Sequence, residues 1–327
     1  MDFNRKEQST VIGALKKHMA ELSITRLNEA IARGALTVAE DEAFYESQVR
    51  GVAKQITEQG VKVLLLAGPS GAGKTTTANL IADAILAEGF DALVVSLDNF
   101  YRDHDDPAYP RLPSGERDME SCDALDISLI RDCLSKILLG RDFVIPRYDF
   151  KIGRATSETY YEPMKHGCVI VEGLHALNPA ISAHLPEGGV LRLFVSVSTN
   201  IVDEEGERIL SGRKMRFLRR LVRDSIFRGA DVGRTLAVWQ SVLDGEDKYL
   251  YPYKETADVF FNTFHTFELG VIKEMAAERI ASSGIRDPYL AIVERALSRI
   301  APLSADLVPK TSLIREFIAG GVYEDRY

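Results

Sequence analysis

Cysteine is scarce: Cys122, Cys133 and Cys168 are the only three in the chain. Their spacing fits neither a zinc site nor a disulfide framework, so they read as idle or buried thiols of a reducing compartment. No stretch approaches the roughly 18 apolar residues of a membrane span, and the opening MDFNRKEQST holds no apolar signal core. Both absences point to a cytoplasmic protein with no membrane partner. No block of lysine and arginine is present, and the net charge is −8, which argues against nucleic acid as a partner. Internal repeats and low-complexity tracts are missing as well. So are an N-K-x-D guanine motif and a transporter-type LSGG run, of which Leu210-Ser211-Gly212-Arg213 falls short.

What is there suits a large α/β protein. With 46% apolar residues, the chain can build one α/β domain with appendages or two small domains. Residues 1–57 read as a helical extension: Val11, Leu15, Met19 and Leu22 recur at helical spacing, then Ala43, Phe44, Val49 and Val52. Thr37 with Glu40 has the spacing of a capping box. Residues 58–265 form the core, with short apolar runs at 61–67, 92–97, 168–171, 191–197 and 257–261 reading as buried strands. Helices are expected at 74–88, 126–139 and 213–227, and short strands at 142–145 and 160–161. The Pro-rich stretch 99–122 reads as a loop. Residues 266–327 read as mainly helical. Strands alternating with helices predict a parallel sheet covered on both faces, a three-layered α/β architecture whose ligands bind at the carboxyl ends of the strands.

One motif is complete. Gly68-Pro69-Ser70-Gly71-Ala72-Gly73-Lys74-Thr75 fits G-x-x-x-x-G-K-[ST] between a buried strand and a helix. Such a P-loop wraps backbone N–H groups around phosphate oxygens, and the helix that follows points its N-terminus at the anion. Lys74 is placed to meet the β- and γ-phosphates, Thr75 to offer its hydroxyl to Mg²⁺, and Thr76 to touch the α-phosphate. ATP and Mg²⁺ are therefore the expected ligands, with GTP left open.

A kinase needs three further parts: an acceptor-side base, a metal-supporting acid and cations over the transferring phosphoryl group. Asp98 follows a buried strand in Ser96-Leu97-Asp98-Asn99-Phe100-Tyr101 and could orient or deprotonate a hydroxyl. Glu172 ends the apolar run Val169-Ile170-Val171, where it could hold Mg²⁺ directly or through water. Arg216, Arg219, Arg220 and Arg223 share one helix face, with Arg228 beyond. Each feature alone also fits a solvated loop, strand end or helix face. His175 reads as a structural histidine, Trp239 and Tyr251 as packing residues, and Asp103, Asp105 and Asp106 as a solvated loop.

These segments, together with Pro146-Arg147-Tyr148-Asp149, resemble the uridine kinase / phosphoribulokinase family over about residues 61–262. The closest likeness is to a bacterial nucleoside-kinase-like branch often fused to a TGS region, of which this chain carries the kinase module. Ala257 to Asn262 and the tail Leu313-Ile314-Arg315-Glu316-Phe317-Ile318-Ala319-Gly320-Gly321 are similar to its C-terminal part. The resemblance implies that Asp98 is the catalytic base and shares the metal with Thr75 and Glu172. It implies that Tyr101 and Tyr148 line the acceptor, and that Arg219, Arg220 and Arg223 are lid arginines, Arg220 beside the substrate. A homo-oligomer, dimer or tetramer, is expected. Two departures stand out. Met119-Glu120-Ser121-Cys122 replaces the segment whose Asp holds the ribose, leaving Glu120 for that role. Lys151-Ile152-Gly153-Arg154 holds no counterpart of the histidine that reads the pyrimidine. The expected activity is phosphoryl transfer from ATP to a hydroxyl of a nucleoside or related small molecule. The rival readings are a kinase for a sugar phosphate, pantothenate-like alcohol or hydroxy acid, and a nucleotide-sensing module without turnover.

Overall fold

The computed structural model describes residues 21–186 and 188–326. In chain order the elements are β1 (Glu21–Ser23), α1 (Ile24–Ala32), α2 (Ala35–Gln59), β2 (Val63–Ala67), α3 (Lys74–Ala87), β3 (Asp91–Ser96), α4 (Ile127–Leu138), β4 (Phe143–Asp149), β5 (Arg154–Tyr161) and β6 (Gly167–Glu172). They continue with α5 (Pro179–Ser182), β7 (Val190–Ser196), β8 (Asn200–Val202), β9 (Arg208–Leu210), α6 (Gly212–Phe227), α7 (Val232–Tyr249), β10 (Val259–Asn262), α8 (Glu268–Ser283), α9 (Pro288–Ser298) and α10 (Arg315–Ile318).

The central sheet has five parallel strands in the order β10-β7-β2-β6-β3. β2 lies in the middle, and all five of its residues are buried. Its alternation divides the core. Leu64 and Leu66 join the cluster formed with α2, α3, α6 and α8, whereas Val63, Leu65 and Ala67 join the one formed with α4 and β4. A strand covered on both faces can be apolar at every position, which is why the run is continuous and not alternating. The three-layered arrangement is the expected one.

Several local expectations need correction. Val11, Leu15 and Met19 lie outside the described residues, and Leu22 sits in β1, paired with Ile201 of β8. Thr37 does not cap a helix. Gly34 holds the N-cap position of α2, and the Thr37 hydroxyl donates to the Ala30 carbonyl at 2.6 Å. The two short strands at 142–145 and 160–161 are the ends of one long hairpin, β4–β5. Helix α7 was not foreseen, although Val232, Thr235, Trp239, Val242, Leu243 and Glu246 are buried at helical spacing. Polar residues at two of those buried positions mask the apolar stripe. The tail is also less helical than expected: between α9 and α10 only one short 3₁₀ turn occurs, at Ala305–Leu307.

Candidate active site

The P-loop leaves the carboxyl end of β2 and opens α3. Gly73, the N-cap of α3, has φ +83°, a backbone state that side chains rarely adopt. Lys74 is the first helical residue, and its Nζ donates to the Pro69 carbonyl at 3.3 Å. Lys74 and Thr75 keep part of their surface, whereas Gly71, Ala72, Gly73 and Thr76 are buried.

Helix α6 grips this loop from behind. Arg216 donates to the Ser70 carbonyl at 2.8 Å and forms a two-pronged pair with Glu246 at 2.7 and 2.8 Å. Glu246 in turn accepts the Ser70 N–H at 2.9 Å. Arg219 donates to the carbonyls of Gly71 at 3.2 Å and Thr263 at 2.7 Å, and pairs with Glu268. Both arginines are essentially without exposed surface. Arg219 is thus not a mobile lid cation. Its two terminal nitrogens are spent on the underside of the loop, on two carbonyls, the Thr263 hydroxyl and a carboxylate, while Nε has no partner among the described residues. Arg223 is likewise turned to Asp224, at 2.8 and 3.0 Å. Arg220 donates to the Ser70 hydroxyl at 2.9 Å and pairs with Asp224 at 3.1 Å. Arg228 retains 56% of its side-chain surface and stands near enough to Asp98 to favour that residue's charge.

The two acids meet because neighbouring parallel strands end together. Ser96 of β3 lies opposite Glu172 of β6, and Asp98 follows two residues after Ser96 in a short 3₁₀ turn. Asp98 has open surface on the cleft side, yet enough protein surrounds it that burial pushes its pKa up, while Lys74 and Arg228 pull it down. Glu172 is only 6% exposed, and burial lifts it to about 7 against the pull of Lys74, with Asp98 adding to the rise. Two carboxylates and the Thr75 hydroxyl make an all-oxygen donor set of the kind Mg²⁺ takes, with phosphate oxygens completing it. The buried Glu172 beside Asp98 is better suited to a cation than to its own charge, so these residues fit the metal. No cluster of three or more His, Cys, Asp or Glu that could hold a metal occurs among the described residues.

On the acceptor side burial lifts Glu120 to about 7, with Arg220 pulling it down. The Tyr101 hydroxyl donates to the Met119 carbonyl at 2.9 Å. His175 is buried, bonded to the backbone of Glu120, and held neutral by burial, its pKa lowered to about 4. Tyr101, Tyr148 and Phe150 pack together, with ring centroids 5.7, 5.4 and 5.0 Å apart. His104 joins them, 6.3 Å from Tyr148 and 6.0 Å from Tyr109. The cluster is short of partners: His104 Nε2, Tyr109 Oη and Tyr148 Oη are buried with no hydrogen bond to any described residue. His104 was not singled out in the sequence, because nothing in its loop announces a binding residue. Its backbone N–H donates to the Gly153 carbonyl at 2.8 Å, and its ring lies where a side chain at position 153 would be, 2.1 Å from an ideal Cβ. Nearby, Asp106 pairs with Arg102 at 3.1 Å and Asp103 accepts the Ala155 N–H at 3.0 Å, so both serve the loop.

Glu316 is the other residue that the sequence reading left without a role. Its carboxylate accepts from the Thr76 hydroxyl at 2.8 Å and the Thr76 N–H at 3.3 Å, so Thr76, expected at the α-phosphate, is engaged by the tail.

Comparison with known proteins finds relatives of one family. The model of the Phosphoribulokinase / Uridine kinase family matches residues 63–205. A uridine kinase of Borrelia hermsii is 30% identical over 200 residues, covering 61% of this chain and 85% of that protein. A uridine kinase of Halobacterium salinarum is 26% identical over 196 residues, covering 59% of this chain and 76% of that protein. A solved structure described as a possible uridine kinase from Bacillus stearothermophilus aligns with a TM-score of 0.44 at 15% identity, covering 66% of this chain and 97% of its own.

Proposed function

Because this chain belongs to the phosphoribulokinase / uridine kinase family and is by that membership a kinase, we propose that it transfers the γ-phosphoryl group of ATP to a hydroxyl of a nucleoside-like acceptor. The observation that carries the reading is the meeting of Lys74, Asp98 and Glu172 at the carboxyl ends of β2, β3 and β6, where Lys74 acts on both carboxyls and Asp98 on Glu172.

In this reading the acceptor hydroxyl approaches the γ-phosphorus in line with the bond to the β–γ bridging oxygen. The new O–P bond forms as the bridging bond breaks, and the electron pair leaves on ADP. The hydroxyl proton passes to Asp98, whose raised pKa suits that task. Lys74 neutralises charge on the transferring group, and Arg228 is the best-placed exposed cation beside Asp98. Thr75, Asp98 and Glu172 would hold Mg²⁺, which supplies further charge neutralisation when bound. Glu120 would hold acceptor hydroxyls, supported by Arg220.

The nucleoside reading of the acceptor rests on the aromatic cluster. A flat heterocycle could stack on Tyr101, Tyr148 or Phe150 and satisfy the unpartnered atoms of His104, Tyr109 and Tyr148. His104 thereby takes the place that Gly153 leaves open. ADP release with Mg²⁺-ATP across a panel of pyrimidine and purine nucleosides, ribulose 5-phosphate, pantothenate and glycerate, with mass spectrometry of products, tests this. A phosphorylated nucleoside is expected. Turnover confined to a non-nucleoside would overturn the acceptor, and nucleotide binding without any turnover would overturn the activity.

A further inference from the structure

The tail and the P-loop share one binding surface. Thr76 is the third residue of α3, and the helical ladder begins only with the Thr77 N–H to the Gly73 carbonyl. Its N–H is thus one of the first-turn donors that a P-loop offers to phosphate. Here that N–H and the Thr76 hydroxyl both go to Glu316, itself only 5% exposed. Two neighbouring tail residues take further parts of the loop. Leu313 lies against Gly73, its side chain 2.7 Å from an ideal Cβ there. Phe317 lies over the guanidinium of Arg219 at 4.8 Å, and Arg219 holds the Gly71 carbonyl.

We propose that the segment Ser312 to Ile318 is an internal competitor of the nucleotide, and that Glu316 must leave Thr76 before a phosphate can bind there. One N–H cannot serve a carboxylate and a phosphate oxygen in the same place. A polyphosphate seated beside a retained, nearly solvent-free carboxylate would also meet like charge at short range. Leaving has a cost: the only helix of the segment, α10, has four residues, but Leu313, Ile314 and Phe317 have no exposed surface and belong to the main core cluster. Arg315 bonds the carbonyls of Ala305, Val308 and Ala319, and Tyr323 donates to Asp83. A bound nucleotide must therefore offset the apolar burial lost when the segment opens. Nucleotide affinity is then reduced by the fraction of molecules in which the tail is docked.

This inference rests on the P-loop binding nucleotide but not on the identity of the acceptor, so its test uses ADP binding. Calorimetric titration with Mg²⁺-ADP would compare the full chain with Glu316→Ala. The variant is expected to bind about tenfold more tightly or better, as a site closed in nine molecules of ten would. Hydrogen exchange on the unaltered chain supplies a readout that needs no variant: saturating ADP should raise exchange at 312–318. Equal or weaker binding by Glu316→Ala, or added protection of 312–318 by ADP, would overturn the competition and make Glu316 a structural clip. Loss of ADP binding in both proteins would instead overturn the nucleotide reading, and the competition with it.

Discussion

Asp98 and Arg219 show how far a residue's role depends on what surrounds it. Asp98 lies beside Lys74 and Arg228 in a cleft that raises its pKa, as a proton acceptor requires. Asp98→Asn should lower kcat by about 10²- to 10⁴-fold with ADP affinity kept within a few-fold. Single-turnover rates and ADP titration check this, and near-normal turnover would remove Asp98 from the mechanism. Arg219 is tied to Glu268 with neither side chain exposed. Arg219→Met should leave Glu268 buried without its partner and cost about 3–5 kcal/mol of stability. A lid arginine would lower kcat with little change in melting, so denaturant unfolding and kinetics separate the two roles. His104→Phe keeps a ring against Gly153 but removes both nitrogens. It should raise the KM for a nucleoside by about tenfold or more while kcat stays within about threefold. An unchanged KM would exclude His104 from reading the acceptor.

At the scale of elements, α6 and the tail change meaning together. The arginine-rich helix suggested a cationic lid, yet its buried face braces the P-loop, with Arg220 on the Ser70 hydroxyl and Arg228, just past the helix end, near Asp98. Beneath the tail, Glu42 bonds Ser312, and burial lifts its carboxyl to about 7. In the unfolded chain this group returns to the ordinary range. Between those two values the folded protein holds a proton that the unfolded chain has lost, so stability falls as pH rises through the window. Glu42→Gln carries no such charge. Its stability relative to the unaltered protein should therefore increase by about 2 kcal/mol between pH 5 and pH 8, measured by denaturant titration at each pH. A constant difference would mean that Glu42 is not buried with a raised pKa.

In the molecule as a whole, the described parts of both extensions belong to the same core as the P-loop. Leu27 and Ile31 of α1, Leu64 and Leu66 of β2, Ile272 of α8 and Phe317 of the tail share one cluster. The division at 57 and 265 therefore marks a change of architecture, and we expect no independent units. Calorimetry should show a single cooperative transition, and two separated transitions would contradict the shared core. A homo-oligomer remains our proposal, to be checked by light scattering. The local order of residues was enough to announce the parallel sheet, the P-loop and the strand-end acids, because each is a contiguous pattern governed by backbone geometry and burial. It could not show that His104 fills the space beside Gly153, nearly fifty positions away in the chain, or that Arg219 faces Glu268. Nor could it show that Glu316 lies on Thr76, a contact spanning 240 residues. Which charge is satisfied and which is left for a ligand depends on partners from distant segments. Only the folded packing, with its desolvation of every group it encloses, brings those partners together.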